Sequence, residues 1–171
     1  MDLRLVFKYT GLLIFLLFFQ ILILDNIQVS HLGIRPYMYL LLILLLPFET
    51  PKWTILLISI GFALIIDVFN NTPGLHSSAT VFMGFIRPLV LNTISPRDGY
   101  EGGILPRIHF LGFNWFLKYS FFLILAHHIV YFFVDEFSFQ NIHITFLKII
   151  LSTIFSTFFI VISQYFIFRK E

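Results

Sequence analysis

The feature that most constrains this chain is a succession of long apolar runs separated by short polar breaks. The first, Val6 to Leu24, is interrupted only by Lys8, Tyr9, Thr10, Gly11 and Gln20. Crossing a bilayer's hydrocarbon takes about 20 mainly apolar residues at 1.5 Å rise per residue. No water is present there to bond backbone N–H and C=O groups, so a helix is the usual way such a run satisfies them. Composition points the same way. The chain is 58% hydrophobic and 12% charged, where soluble domains average about 45–50% and about 25%. Its mean hydropathy is +0.93. The 171 residues read as one integral membrane domain with no separate soluble domain.

The runs give an all-α membrane protein of about six transmembrane helices, over residues 6–24, 37–48, 53–69, 75–94, 115–134 and 147–168. The first run is too long for the apolar region of a signal peptide and has no Ala-x-Ala-like site after it, so it is expected to be a permanent span. Residues 37–48 are the exception in length. As a helix they would cover roughly 18 Å of a core about 30 Å thick. Pro36 suits a first helical position. Either Pro47 kinks a longer helix, or this segment crosses only part of the bilayer beside other helices. Trp53 suits an interfacial anchor. Asn70-Asn71-Thr72-Pro73-Gly74 reads as a turn, and Ser95 to Asn114 is the longest polar stretch. The abundant phenylalanine is read as lipid-facing bulk rather than a cofactor box.

Six spans with both termini in the cytoplasm place Arg4, Lys8, Lys52, Arg87, Arg97, Arg107, Lys118, Arg169 and Lys170 inside, against Arg35 and Lys148 outside. That asymmetry is what the positive-inside rule asks for. A net charge of +2 spread over segment ends gives no nucleic-acid surface. The absence of cysteine excludes disulfides and thiolate chemistry.

In such a chain the few polar residues inside apolar segments carry the information. Asp67 sits near the end of the third run, and His76 opens the fourth after a short turn. Antiparallel helices would bring their side chains together, either as a hydrogen bond that fixes the hairpin or as a substrate or proton site. Arg87-Pro88 reads as a snorkelling arginine at a helix bend, with contact to a lipid phosphate or a partner as the alternative. His127 and His128 are adjacent, so they point about 100° apart on a helix and make a poor metal pair. They read as independent polar packing or as outer-interface residues. No hydrolase, phosphate-loop or paired acidic motif is present. No enzyme, cofactor or metal is expected.

Gly61, Asp67, Pro73-Gly74-Leu75-His76 and Arg87-Pro88, set in six apolar runs and preceded by the run ending at Pro47, resemble the MreD family of bacterial rod shape-determining membrane proteins. The likeness covers the whole chain in length and span number, and its specific part is the stretch from Gly61 to Pro88. The Ser95 to Asn114 loop is longer than that pattern has. The resemblance implies a non-enzymatic scaffold of the cell-elongation and peptidoglycan-synthesis machinery in the bacterial cytoplasmic membrane. It implies an MreC-like partner and, through it, RodA, a class B penicillin-binding protein and MreB, with membrane lipid around it. Gly61, Asp67, Pro73, Gly74, His76, Arg87 and Pro88 then form a structural or partner-binding hairpin. The family is similar in fold to the substrate-binding subunits of energy-coupling-factor transporters. The second expectation is therefore a small-molecule, vitamin-like binding subunit of an importer. That reading needs polar and aromatic residues to converge from several helices.

Overall fold

The computed structural model describes residues 3–26, 33–137 and 141–167. Its elements are α1 (Leu3–Leu22), α2 (Leu41–Leu44), α3 (Lys52–Asn70), α4 (Leu75–Thr93), α5 (Ile108–Leu111), α6 (Phe113–Glu136) and α7 (Ile142–Ile167). The described residues contain no strand. Lys52–Asn70, Phe113–Glu136 and Ile142–Phe166 have the length and hydropathy of membrane spans. The helices run past several of the bounds read from hydropathy. The last begins at Ile142 rather than 147, because polar Asn141, His143 and Thr145 conceal a first turn that is regularly bonded. Residue 168, the expected end of that helix, lies outside the described residues.

The helices α3, α4, α6 and α7 pack in chain order, each against the next long helix. Their outward faces are apolar: Trp53, Leu57, Val68 and Phe69 on α3, Phe85 and Leu89 on α4, Phe122 on α6 and Phe158 on α7 are all exposed. In water such a surface is untenable, whereas beside lipid tails it costs nothing.

The expected helix over 37–48 is not formed. Only Leu41–Leu44 are helical, and the chain from Gly33 to Met38 carries no helix or turn. Every residue from Tyr37 to Leu46 is at most 7% exposed. An apolar, mostly non-helical rod thus runs through the middle of the bundle. Two prolines explain why so leucine-rich a segment fails to become a longer helix. Pro36 lacks an N–H and pushes Arg35 out of the helical region, and Pro47 does the same to Leu46. At one end Arg35 lies beside Tyr131 of α6 and Ser152 of α7. At the other, Leu44 and Leu46 lie beside Tyr119 of α6 and Arg87 of α4.

The start of α3 and the long polar loop meet at one end of the bundle. Phe48 stacks on Tyr100 with ring centroids 4.3 Å apart, and Trp115 meets both rings edge-on. The Gly103 N–H donates to the Glu49 carboxylate at 3.1 Å, which holds that carboxyl below its ordinary pKa. At the opposite end, Asn70 of α3 donates to Asp25 after α1, and Lys148 of α7 pairs with Glu136 of α6 at 2.5 Å.

Close approach of α3 and α4 depends on Gly84. A Cβ there would stand 2.7 Å from Ser59 Oγ and 3.2 Å from an Ile55 methyl. Small residues at helix crossings are what let backbones pack tightly in lipid. Gly61 differs: it is exposed, and a Cβ would meet nothing within 4 Å. Gly84→Leu should therefore lower stability by about 1–3 kcal/mol through overpacking. Gly61→Ala should be neutral or raise it by up to about 1 kcal/mol through helix propensity. Thermal unfolding in detergent checks both; an unchanged midpoint for Gly84→Leu contradicts the close packing.

Candidate functional site

Two layers of buried polar side chains surround the central rod. The rod leaves backbone groups unbonded by helix geometry, and in a dry interior each unpaired group costs about 1–3 kcal/mol. Neighbouring side chains satisfy them. Ser152 Oγ accepts from the Arg35 N–H at 3.1 Å, and Ser156 Oγ from the Tyr37 N–H at 2.9 Å. Gln20 of α1 bonds the rod twice, its Oε1 accepting from Met38 N–H at 2.9 Å and its Nε2 donating to Pro36 O at 3.2 Å. At the far end Tyr119 donates to Leu44 O at 3.0 Å. Arg87 donates to Leu46 O through Nη2 and to the Tyr119 hydroxyl through Nε at 2.7 Å.

Arg87 therefore does not snorkel or face a lipid phosphate. It is 1% exposed, and its guanidinium clamps the end of the rod to α6. The fork of donors suits it for two acceptors at once. It also leaves the set of loop charges that orient the chain. Pro88 follows it inside α4 and cannot donate to the Gly84 carbonyl one turn back.

Asp67 and His76 meet, but not through their side chains. The Asp67 carboxylate accepts from the His76 backbone N–H at 2.8 Å, the Ser77 N–H at 2.9 Å, the Ser77 hydroxyl at 2.5 Å and the Thr72 hydroxyl at 3.1 Å. It caps the first turn of α4 from across the turn. Gly74, with φ of 83°, occupies the cap position and has no side chain to do this. The carboxylate meets free N–H groups and the positive end of the helix dipole. The expected imidazole–carboxylate pair is replaced because the chain doubles back through Asn71 (φ 53°), Pro73 and Gly74, which aims the α4 amides at Asp67. An open cavity of about 480 Å³ lies at this turn, bounded by Pro73, Gly74, Leu75 and Ser78 and by Val134 and Asp135 of α6.

The His76 imidazole points inward instead. Its Nδ1 lies 3.0 Å from the Tyr39 hydroxyl, which is also 2.8 Å from His127 Nε2 and 3.4 Å from Thr80 Oγ1. Tyr37 fills the space between. Its ring lies 5.1–5.7 Å from those of His76, His127, His128 and Tyr131. Tyr131 in turn accepts from Arg35 at 2.9 Å. His127 and His128 are both fully buried, so neither is an outer-interface residue. They are not independent either, since Tyr37 touches both rings. No group of three or more His, Asp or Glu among the described residues could hold a metal ion.

Sequence reading missed Tyr37, Tyr39, Gln20, Ser152 and Ser156. Their signal was indirect: a proline-bracketed run too short to span needs hydrogen-bonding side chains around it.

Asp67→Ala strands several buried donors, so it should lower stability by about 2–4 kcal/mol. Asp67→Asn should fall between that variant and the native chain, because its NH₂ faces donors. His76→Ala keeps its backbone N–H on the carboxylate and should cost less than Asp67→Ala. Arg87→Leu should cost about 2–4 kcal/mol, and Arg87→Lys should recover only part of it. Unfolding midpoints in detergent give the order; His76→Ala equal to or worse than Asp67→Ala contradicts the backbone cap. Scans against family models, curated proteins and solved structures find no match, so the site is read from its own chemistry.

Proposed function

We propose that this protein is a non-enzymatic membrane scaffold of the bacterial cell-elongation machinery, partnering an MreC-like membrane protein and, through it, RodA, a class B penicillin-binding protein and MreB. The observation that supports this most is where the polar side chains go. Asp67, Arg87, Gln20, Tyr119, Ser152 and Ser156 are engaged with backbone groups of the chain itself. Such residues build a rigid body whose outer faces are free to meet lipid or other helices.

A six-crossing topology accompanies the reading. Six residues from Gly33 to Met38 reach at most about 20–22 Å, and the turn and α2 from Tyr39 to Leu44 add about 9 Å. That matches a hydrocarbon core of about 30 Å, which twelve helical residues do not. With the rod as second crossing, α1, α3, α4, α6 and α7 supply five more, and both termini fall on the cytoplasmic side. A reporter active only outside the cytoplasm should stay silent when fused to Glu171; activity there removes the topology.

One observation favours the importer reading. Tyr37 and Tyr39, His76, and His127 with Tyr131 converge from the rod, α4 and α6. A small-molecule subunit needs that convergence, though here the Tyr37 ring occupies its centre. Affinity purification of the full chain from its own membranes separates the two. The scaffold reading expects an MreC-like protein to co-purify. Recovery of an importer ATPase in its place overturns it.

A further inference from the structure

We propose that His76, Tyr39 and His127 form a proton-transfer triad, in which the Tyr39 hydroxyl hands a proton between the two imidazoles. The geometry is independent of the scaffold reading. Tyr39 Oη lies 3.0 Å from His76 Nδ1 and 2.8 Å from His127 Nε2. All three side chains are at most 1% exposed. A phenol has one hydrogen and accepts through its oxygen. Thr80 Oγ1 also lies 3.4 Å from the Tyr39 hydroxyl, with its own hydrogen on the His76 carbonyl at 2.7 Å; the two imidazole contacts are shorter, so Tyr39 donates to one imidazole and accepts an N–H from the other.

That rule leaves two arrangements. In one, His76 carries its proton on Nδ1 and donates to Tyr39, which donates to His127 Nε2. Neutral His76 then has a bare Nε2, and neutral His127 has an Nδ1–H. In the other, Tyr39 donates to His76 Nδ1 and accepts from His127 Nε2. The proton then sits on Nε2 of His76, and Nδ1 of His127 is bare. Within the triad, His76 Nε2 and His127 Nδ1 are the nitrogens with no hydrogen-bond partner among the described residues. Both are buried, so a proton enters or leaves at them only when water is admitted beside them.

The exchange balances. A proton arrives at His76 Nε2 from water; the His76 Nδ1 proton passes to the Tyr39 oxygen; the Tyr39 proton passes to His127 Nε2; the His127 Nδ1 proton leaves to water. One proton enters and one leaves, and the triad stays neutral between exchanges. Burying a net charge is costly, so coupled transfer is favoured over storing a proton on either ring. Buried ionisable chains of this kind are the recurrent form of intramembrane proton relays.

His128 is excluded by the same rule. Its Nδ1 lies 2.8 Å from the Ile124 carbonyl, which only accepts, so that nitrogen carries the proton. Its Nε2 faces Ser156 Oγ at 3.5 Å, whose hydrogen is free to point there because Ser156 accepts from Tyr37 N–H. The short bond to Ile124 favours the Nδ1–H form over the competing backbone contact with Arg35. The charged neighbours are otherwise engaged, Asp67 with the α4 amides and Arg35 with Tyr131; Tyr37 packs its ring against both imidazoles without a hydrogen bond to either.

The test is ¹⁵N-histidine NMR on the full chain in lipid bilayers. Native protein should show both Nδ1–H and Nε2–H forms for His76 and for His127, in matched populations, and the Nδ1–H form alone for His128. Tyr39→Phe should remove the matching of the two populations, and His128→Gln should leave it in place. A single fixed tautomer at His76 or His127 in the native chain overturns the proposal without need of a variant. So do unmatched native populations, or unchanged matching in Tyr39→Phe.

Discussion

Everything in this protein depends on giving hydrogen-bond partners to a stretch of backbone that is apolar, buried and mostly not helical. A transmembrane helix bonds itself, so its side chains are free to be hydrocarbon. Residues 33–48 bond themselves only between Met38 and Leu45, and the surrounding helices must carry polar groups toward the rest. Gln20, Arg87, Tyr119, Ser152 and Ser156 stand where they do for that reason. Non-helical backbone at membrane depth is tolerated when protein surrounds it. Here that requirement draws α1, α4, α6 and α7 around one rod.

The α3–α4 hairpin solves a related problem at a helix end. A helix starting with Gly74-Leu75-His76-Ser77 exposes amides but brings no side chain to cap them. Asp67 supplies an acceptor from the preceding helix, so a carboxylate in an apolar segment finds its donors in the turn and first residues of the next one. The cap also fixes the direction in which α4 leaves the turn. That direction delivers the His76 ring to Tyr39 and, three turns on, Arg87 to the end of the rod.

Length and hydropathy made α3, α6 and most of α7 readable from sequence, since regular helices leave a regular signature. Asp67, His76 and Arg87 were readable as important, because polar groups in hydrocarbon stand out. Their partners were not. Asp67 bonds backbone amides and Arg87 a backbone carbonyl, and neither acceptor nor donor of that kind has a sequence signature. Tyr37 and Tyr39 hid inside a leucine run, where tyrosine passes as bulk. Ser152 and Ser156 are among the small polar residues that helices commonly carry. The twelve-residue length of 37–48 was the one visible anomaly, and its two bounding prolines favour a rod over a longer kinked helix.

The Arg35–Ser152 and Tyr37–Ser156 bonds join positions 117 and 119 residues apart. A chain emerging from a ribosome makes residues 33–48 long before it makes α7. Until then the backbone N–H groups of Arg35 and Tyr37 lack the acceptors they will use, and bare lipid offers none. The segment must wait in water, in the insertion machinery, or as a transient helix that later unwinds. Closure of the N-terminal third is thus tied to synthesis of the last helix. A ribosome stalled before Ser152 would leave the rod's Arg35 and Tyr37 amides without their acceptors and an apolar stretch unsheltered.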